Sequence, residues 1–435
     1  MPVRDLIFTA VFLACLPACF FRPFWGVLMW TVVSLLNPHA FLWAVTNEFP
    51  WATLVAIPTL AGYVCFSFKL HRLMAREIFL IVALWGWFTF TSLYNTHQPE
   101  FAHFAQNTWQ KWNFVSKILL MTLATAGIVD TWERFRTLLL VISGCLGFLV
   151  TKALPFMILT GGSFRLYGPP GSMLADNNDF GLALNMTMPF YFFMARTDPD
   201  SRVRKVMTFL FLVTVPAVFF TYSRGALFGL AAVMVFILMR LRQKFVLIPI
   251  LLLAGLFAVF LTPDQWQQRM DFRREGALID ASALSRINSW TYCWRLVQEH
   301  PLTGGGFEAF TPALFYRYAP DPRDVHGPHS IYFGVLAEHG FVGLGLYLTL
   351  LLSTFLTLRQ QVKFARVHDD EQIDGYGNAL RVSLVGFMVS GAFLGRAYFD
   401  YYFTIIACAV ILKTLCKSQE NEAPDLETEA EEQMA

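Results

Sequence analysis

Apolar residues run through this chain in long blocks separated by short stretches of basic and turn-forming residues, and the blocks set the first expectation. A helix needs about 20 mostly apolar residues to cross a bilayer. On that rule the candidate spans are 5–21, 24–45 (broken at Asn37-Pro38), 51–68, 77–95, 113–129, 137–159, 180–195, 206–222, 225–241, 245–261, 341–358, 379–395 and 399–415. Several of the thirteen are short, so the pattern predicts an all-α polytopic membrane protein of about 12 transmembrane helices. The first block runs into Arg22-Pro23 and a second apolar block without a small-residue cleavage site, and it is expected to be retained.

The longest polar interruption lies between about Thr262 and Glu338. It divides the chain into N-terminal helices (1–159), central helices with a loop at 160–179 (160–261), one large loop (262–340), C-terminal helices (341–416) and an acidic tail (417–435). Inside the large loop, apolar residues at 287, 290, 294 and 297 predict an amphipathic helix over Asp280–Glu299, ended by His300-Pro301. Pro328 and Ser330 predict a second short helix, with Ser330 as its N-cap, running to about Glu338 and broken at Gly340.

Lys and Arg collect in short cytoplasmic loops. Lys69, Arg72 and Arg76, then Arg134 and Arg136, Arg196 to Lys205, Arg240 to Lys244, and Arg359 to Arg366 agree in parity. That places the large loop, the 160–179 loop and the Thr221–Ala226 turn together on the extracytoplasmic side, where function is to be sought. Thirteen spans would put the N-terminus outside and twelve would put it inside. The tail from Lys417 reads as a solvated cytoplasmic end.

Composition narrows the class. With 56% hydrophobic and 15% charged residues the chain is far more apolar than a soluble domain of its size. A net charge of +2, dispersed over short loops, excludes nucleic-acid binding. The seven cysteines form no C-x-x-C and six lie in or beside apolar blocks, so neither a disulfide framework nor a zinc site is indicated.

His329 is the first candidate for chemistry. It lies just before a predicted helix N-terminus, whose dipole disfavours the imidazolium and keeps the ring able to accept a proton. The alternative is an ordinary loop histidine. His326 has the same chemistry in a weaker position, and His339 reads as packing. Arg224, in Tyr222-Ser223-Arg224-Gly225-Ala226 between two apolar blocks, either meets an anion at the bilayer edge or snorkels to headgroups. Arg286 is its natural companion and Arg165 a third, because converging guanidinium groups suit a diphosphate. Lys152, Arg295, Arg317 and Arg396 read as structural. Asp176-Asn177-Asn178-Asp179 invites a metal, but a helix cap before Phe180 is the better reading, and no metal or other cofactor is expected. Glu338 either orients a reacting group or satisfies nearby backbone. Gly304-Gly305-Gly306 reads as a tight turn and not a phosphate loop, since no Gly-Lys-Ser/Thr follows.

Taken together, Ser223-Arg224-Gly225-Ala226, Ser285-Arg286 with Trp290, Pro301 with Gly304-x-Gly306, and His329-Ser330-x-Tyr332 with Glu338-x-Gly340 resemble the O-antigen ligase family of the WaaL type, which shares its core with Wzy-type polymerases and protein O-glycosylating ligases. The resemblance covers roughly residues 160–400. The N-terminal part, with Asn37-Pro38-His39, looks like the O-glycosylation ligases associated with exosortase systems. Many family members have His-Asn where this chain has His329-Ser330.

The resemblance implies a GT-C-like helical enzyme of the bacterial inner membrane. It would move a glycan from undecaprenyl diphosphate to an acceptor, lipid A core or protein, at the periplasmic face without metal. Arg224 and Arg286 would hold the diphosphate, helped by Arg165. His329 would activate the acceptor hydroxyl, with Glu338 as a further catalytic candidate and His326 and Tyr332 in secondary roles. Membrane lipids are the other expected partner. One dominant outer loop favours a ligase over a polymerase, while a transporter should show inverted repeats and midplane charges.

Overall fold

The computed structural model describes residues 3–42, 49–161, 163–240 and 281–434, which form helices and connecting loops with no strand among them. In chain order the helices are α1 (Val3–Phe21), α2 (Pro23–Thr31), α3 (Trp51–Gly62), α4 (Arg76–Thr96), α5 (Ala105–Ile128), α6 (Trp132–Leu159) and α7 (Asn177–Thr197). They continue with α8 (Ser201–Phe220), α9 (Arg224–Leu238), α10 (Ala281–Glu299), α11 (Pro312–Tyr318), α12 (Ile331–Val367), α13 (Glu371–Gly391) and α14 (Asp400–Met434). Six of the described helices, α1, α4, α6, α8, α12 and α14, are long and apolar enough to cross a membrane, and Pro23–Leu36, Trp51–Ser67 and Arg224–Leu238 are shorter apolar stretches. The chain is a multi-pass membrane protein, helical throughout its described elements. The expected span at 245–261 and the start of the large loop lie outside the described residues.

Several helices outrun the apolar blocks that predict them. Helix α5 begins at Ala105 and not 113, and α6 at Trp132 and not 137, because those polar lead-ins contain neither Pro nor Gly and nothing stops the helix. Helix α14 likewise continues through the acidic tail to Met434. The expected break in the second block is present: α2 passes through a π-helical turn at Val32–Leu36, Asn37 turns to φ 50°, and a 3-10 turn follows at Pro38–Phe41. Proline disfavours the right-handed α conformation in the residue before it, and Asn tolerates the left-handed one.

Helix α7 is the axis of the bundle. It is buried from Phe180 to Met194 and packs on α13, α8, α9 and α6. A helix apolar all round has to be enclosed by others. Its polar groups are spent on stitching neighbours together: Asn185 donates to the Ala226 carbonyl at 2.6 Å and to the Ser390 hydroxyl at 3.2 Å, and Tyr191 donates to the Ser143 carbonyl at 3.0 Å.

The two ends of the bundle differ. At one end the predicted basic loops interlock through Arg72–Asp130 (3.4 Å), a bidentate Arg136–Asp198 pair (2.8 and 2.9 Å) and Arg366–Asp374 (3.1 Å). At the other end the Leu166 amide donates to the Phe220 carbonyl (2.8 Å) and Asn177 to the Thr221 carbonyl (2.7 Å). These bonds gather the 163–176 loop, the start of α7 and the turn into α9.

Candidate active site

The site rests on a latch between two glycine-bearing turns. The amides of Gly305 and Gly306 donate to the carbonyls of Ala337 and Glu338, and the Phe341 amide donates to the Pro301 carbonyl, all at 2.8 Å. Gly304 (φ 60°) and Gly340 (φ 66°) both occupy the left-handed region. A Cβ on Gly304 would lie 2.4 Å from the Ala337 oxygen, and one on Gly340 2.2 Å from the Leu302 oxygen. Only glycine allows both the conformation and the approach. Gly340 thereby kinks α12, as its position in the sequence predicts, and the kink holds Glu338 beside the loop. Gly304→Ala should lower the melting temperature in detergent by at least a few degrees, because the strain and the clash each act on the folded state. Gly345→Ala, where a Cβ meets open space, is the control and should not destabilise. Equal melting temperatures for the two variants would show that the latch does not hold the fold.

Helix α10 positions the 321–330 segment with a row of side chains. Asn288 donates to the carbonyl of Asp321 (2.9 Å) and accepts from its amide (2.8 Å). The Ser289 hydroxyl donates to the His326 carbonyl (3.0 Å), and Trp290 Nε1 donates to the Pro328 carbonyl (2.7 Å) while its ring stacks on Phe333. The clamp ends one residue short of His329, whose φ of 45° is a sparsely populated conformation for a residue other than glycine. Strain of that kind persists only where the surroundings dictate it. Ser330 occupies the N-cap position of α12 as expected, but its hydroxyl makes no cap bond, which corrects the reading of its role.

His329 faces a cleft of about 350 Å³ lined by Lys111, Asp176, Asp179, Glu308, Glu338, Arg396 and Tyr398 among others. Its side chain is exposed to solvent, with the cleft walls crowding it on one side. The imidazole is held below the usual histidine value, first by desolvation and then by the nearby charge of Arg286 and by His326. The two histidine rings lie 5.8 Å apart. His326 is committed to the loop, bonding Ser285 at 2.8 Å and approaching Asp324 at 3.3 Å.

The cationic candidates lie at this end of the bundle. Arg286 projects from α10 within electrostatic range of His329. Arg224 opens α9, where Ser223 caps the Ala226 amide (3.1 Å) and Gly225 packs against Phe393 and Leu394, the latter a wall of the cleft. Arg165 lies beside Tyr222 in the same turn. Arg396, expected to be structural, belongs to the site: it lines the cleft and pairs with Asp179 at 2.6 Å, and Gly395 packs against the His329 backbone. Lys111, on the first turns of α5, pairs with Glu308 at 3.1 Å and is the residue that sequence reasoning passed over. Its only signal was a lysine in a polar lead-in to a span.

Other expectations divide. Glu338 accepts from the Glu308 amide (3.0 Å) and the Tyr398 hydroxyl (2.5 Å), so it satisfies backbone and orients a cleft residue at once. Tyr332 turns away from the cleft and donates to the Met388 carbonyl (3.0 Å). His339 is fully packed, stacked on Phe88 and bonded to Thr91 at 2.7 Å. Asp176 caps α7 through the Asn178 amide, as expected. Lys152 lies over the Phe41 ring, and Arg317 pairs with Glu100 and Glu299. Among the described residues no group of three or more His, Cys, Asp or Glu is placed to hold a metal ion.

Two family models match the chain. Residues 3–198 match a family of unknown function (DUF5935). A comparison with curated proteins gives no match. Residues 209–348, which hold Arg224, Arg286, His329 and Glu338, match the family described as O-Antigen ligase (Wzy_C), and over that stretch the chain is similar to the O-antigen ligases.

Proposed function

We propose that this protein is an O-antigen ligase that transfers a glycan from undecaprenyl diphosphate to a hydroxyl of the lipid A core at the periplasmic face of the bacterial inner membrane. The observation that supports it best is a neutral-leaning His329 that shares a cleft with Arg396 and feels the charge of Arg286, at the end of the bundle opposite the basic loops. Basic loops mark the cytoplasmic side, so this orientation turns the cleft outwards.

In the reaction the acceptor oxygen attacks the anomeric carbon from the face opposite the diphosphate. A new C–O bond forms, the bond from carbon to the phosphate oxygen breaks with its electron pair, and the acceptor proton passes to His329. Arg286, Arg224 and Arg165 receive the charge that grows on the diphosphate, where preorganised cations contribute most. Inversion at carbon follows from a single displacement. Glu338 is a positioning residue here, acting through Tyr398 and Glu308. Asp176 is spent on its cap and Asp179 on Arg396, which supports a metal-independent displacement.

Purified protein in detergent, given undecaprenyl-diphosphate-linked glycan and lipid A core oligosaccharide, is expected to form the ligated product at the same rate with and without EDTA. Product on a protein acceptor instead would move the chain to the protein-glycosylating branch suggested by Asn37-Pro38-His39. Polymerised donor alone would make it a polymerase, and loss of activity in EDTA would refute the metal-free mechanism.

A further inference from the structure

The cleft at His329 has a second arm. A neighbouring cavity of about 480 Å³ shares Lys111, Glu308, Arg396 and Tyr398 with the first and extends along α5 to Asn107, Gln110 and Phe114. Those α5 residues, with Lys111, fall at the i, i+3, i+4, i+7 spacing that puts them on one helical face. Asn107, Gln110 and Phe114 are exposed, and neither carboxamide makes a hydrogen bond to a described residue. The polar start of α5 thus turns two carboxamides and an aromatic ring into this cavity's wall.

From this we infer that the α5 arm is a carbohydrate subsite, which binds the sugar units next to the reacting bond. The inference rests on the proposed glycan transfer and names the part of the site that reads the glycan. Each carboxamide offers two N–H donors and a carbonyl acceptor, which matches vicinal sugar hydroxyls that both donate and accept. Phe114 supplies an apolar face for the C–H side of a pyranose ring. A cavity of this size with a few placed polar groups is the ordinary form of a small-ligand site. Lys111 and Glu308 stand where the two arms join, so a sugar seated on α5 would present its reducing end, or its acceptor hydroxyl, to His329. The α5 face of the subsite comes from residues 3–198, the region matched by the family of unknown function, whereas Arg286 and His329 come from the ligase match. The carboxamides that would read the sugar and the histidine that would activate the hydroxyl thus come from different parts of the chain.

The sugar belongs either to the donor or to the acceptor, and steady-state kinetics separates them. The variant Asn107→Leu/Gln110→Leu removes both amides from an exposed face and should keep the wild-type melting temperature. It is expected to raise KM about tenfold for one substrate at saturating levels of the other, with kcat within about twofold of wild type. A rise for the undecaprenyl-diphosphate-linked glycan assigns the arm to the donor, and a rise for the core oligosaccharide assigns it to the acceptor. Unchanged KM for both, in a preparation where wild type transfers and His329→Ala does not, overturns the subsite and leaves the ligase reading standing. If wild type transfers nothing, calorimetric titration of the free core oligosaccharide and of the donor's released glycan into wild type and the double variant decides. Binding lost in the variant supports the subsite without the ligase, and binding of neither glycan, or equal binding to both proteins, overturns it.

Discussion

His329→Ala should lower kcat by about 10²–10⁴-fold, the usual contribution of a positioned general base, with little change in the melting temperature, since the ring faces the cleft and no core contact depends on it. The pH profile gives the sharper test. The structure holds the His329 imidazole below the ordinary histidine value of 6.5. A base works in its neutral form, so activity is present above the lowered value and disappears as pH falls through it. The acid limb of kcat/KM for wild type should therefore lie below pH 6.5, and it should be missing from the residual activity of His329→Ala. An acid limb that persists unchanged in the variant would assign the base to another group, with His326 the nearest.

Arg286→Ala should lower kcat/KM by about 10²-fold or more, as expected when one charge-stabilising donor is removed from a preorganised site. Arg286→Lys should recover little, because an ammonium lacks the planar fork that grips two phosphate oxygens. Arg286 also acts on its neighbour. Its positive charge disfavours the His329 imidazolium, and removing it should raise the histidine value and move the acid limb of the residual activity to higher pH. A purely structural arginine would lower activity without moving that limb. Arg224→Ala is expected to lose activity comparably but to leave the limb closer to wild type. Full activity in either alanine variant would end the diphosphate-clamp proposal.

What could be read in the sequence follows from where each signal resides. Apolar blocks and proline breaks are local, so the Asn37 break, the Gly340 kink and the apolar centres of the helices were legible, while several helix ends lie well beyond the blocks that predict them. Arg286 and His329 were legible because each stands in a short polar string with no apolar role to explain it. Arg396 was not, since a basic residue between the last two spans looks like any loop arginine until α13 and α14 bring Gly395 against the His329 backbone. Lys111 and its face of α5 were hidden for a different reason. The lead-in from Ala105 to Asn113 is too polar to count towards a span, and helicity there depends on the absence of breakers, which hydropathy does not register. Tyr332 shows the opposite failure, in which proximity in sequence to His329 suggested a role that the direction of the side chain removes.

The order of the residues along the chain has a consequence for biogenesis. Lys111 is made early, Arg286 and His329 late, and Arg396 and Tyr398 only with the final hairpin of α13 and α14. Until that hairpin is inserted, the cleft lacks the wall against which His329 rests and the phenol that holds Glu338. On the proposed ligase function, a nascent or prematurely terminated chain would lack a complete cleft, and the activated glycan would be exposed only to finished enzyme.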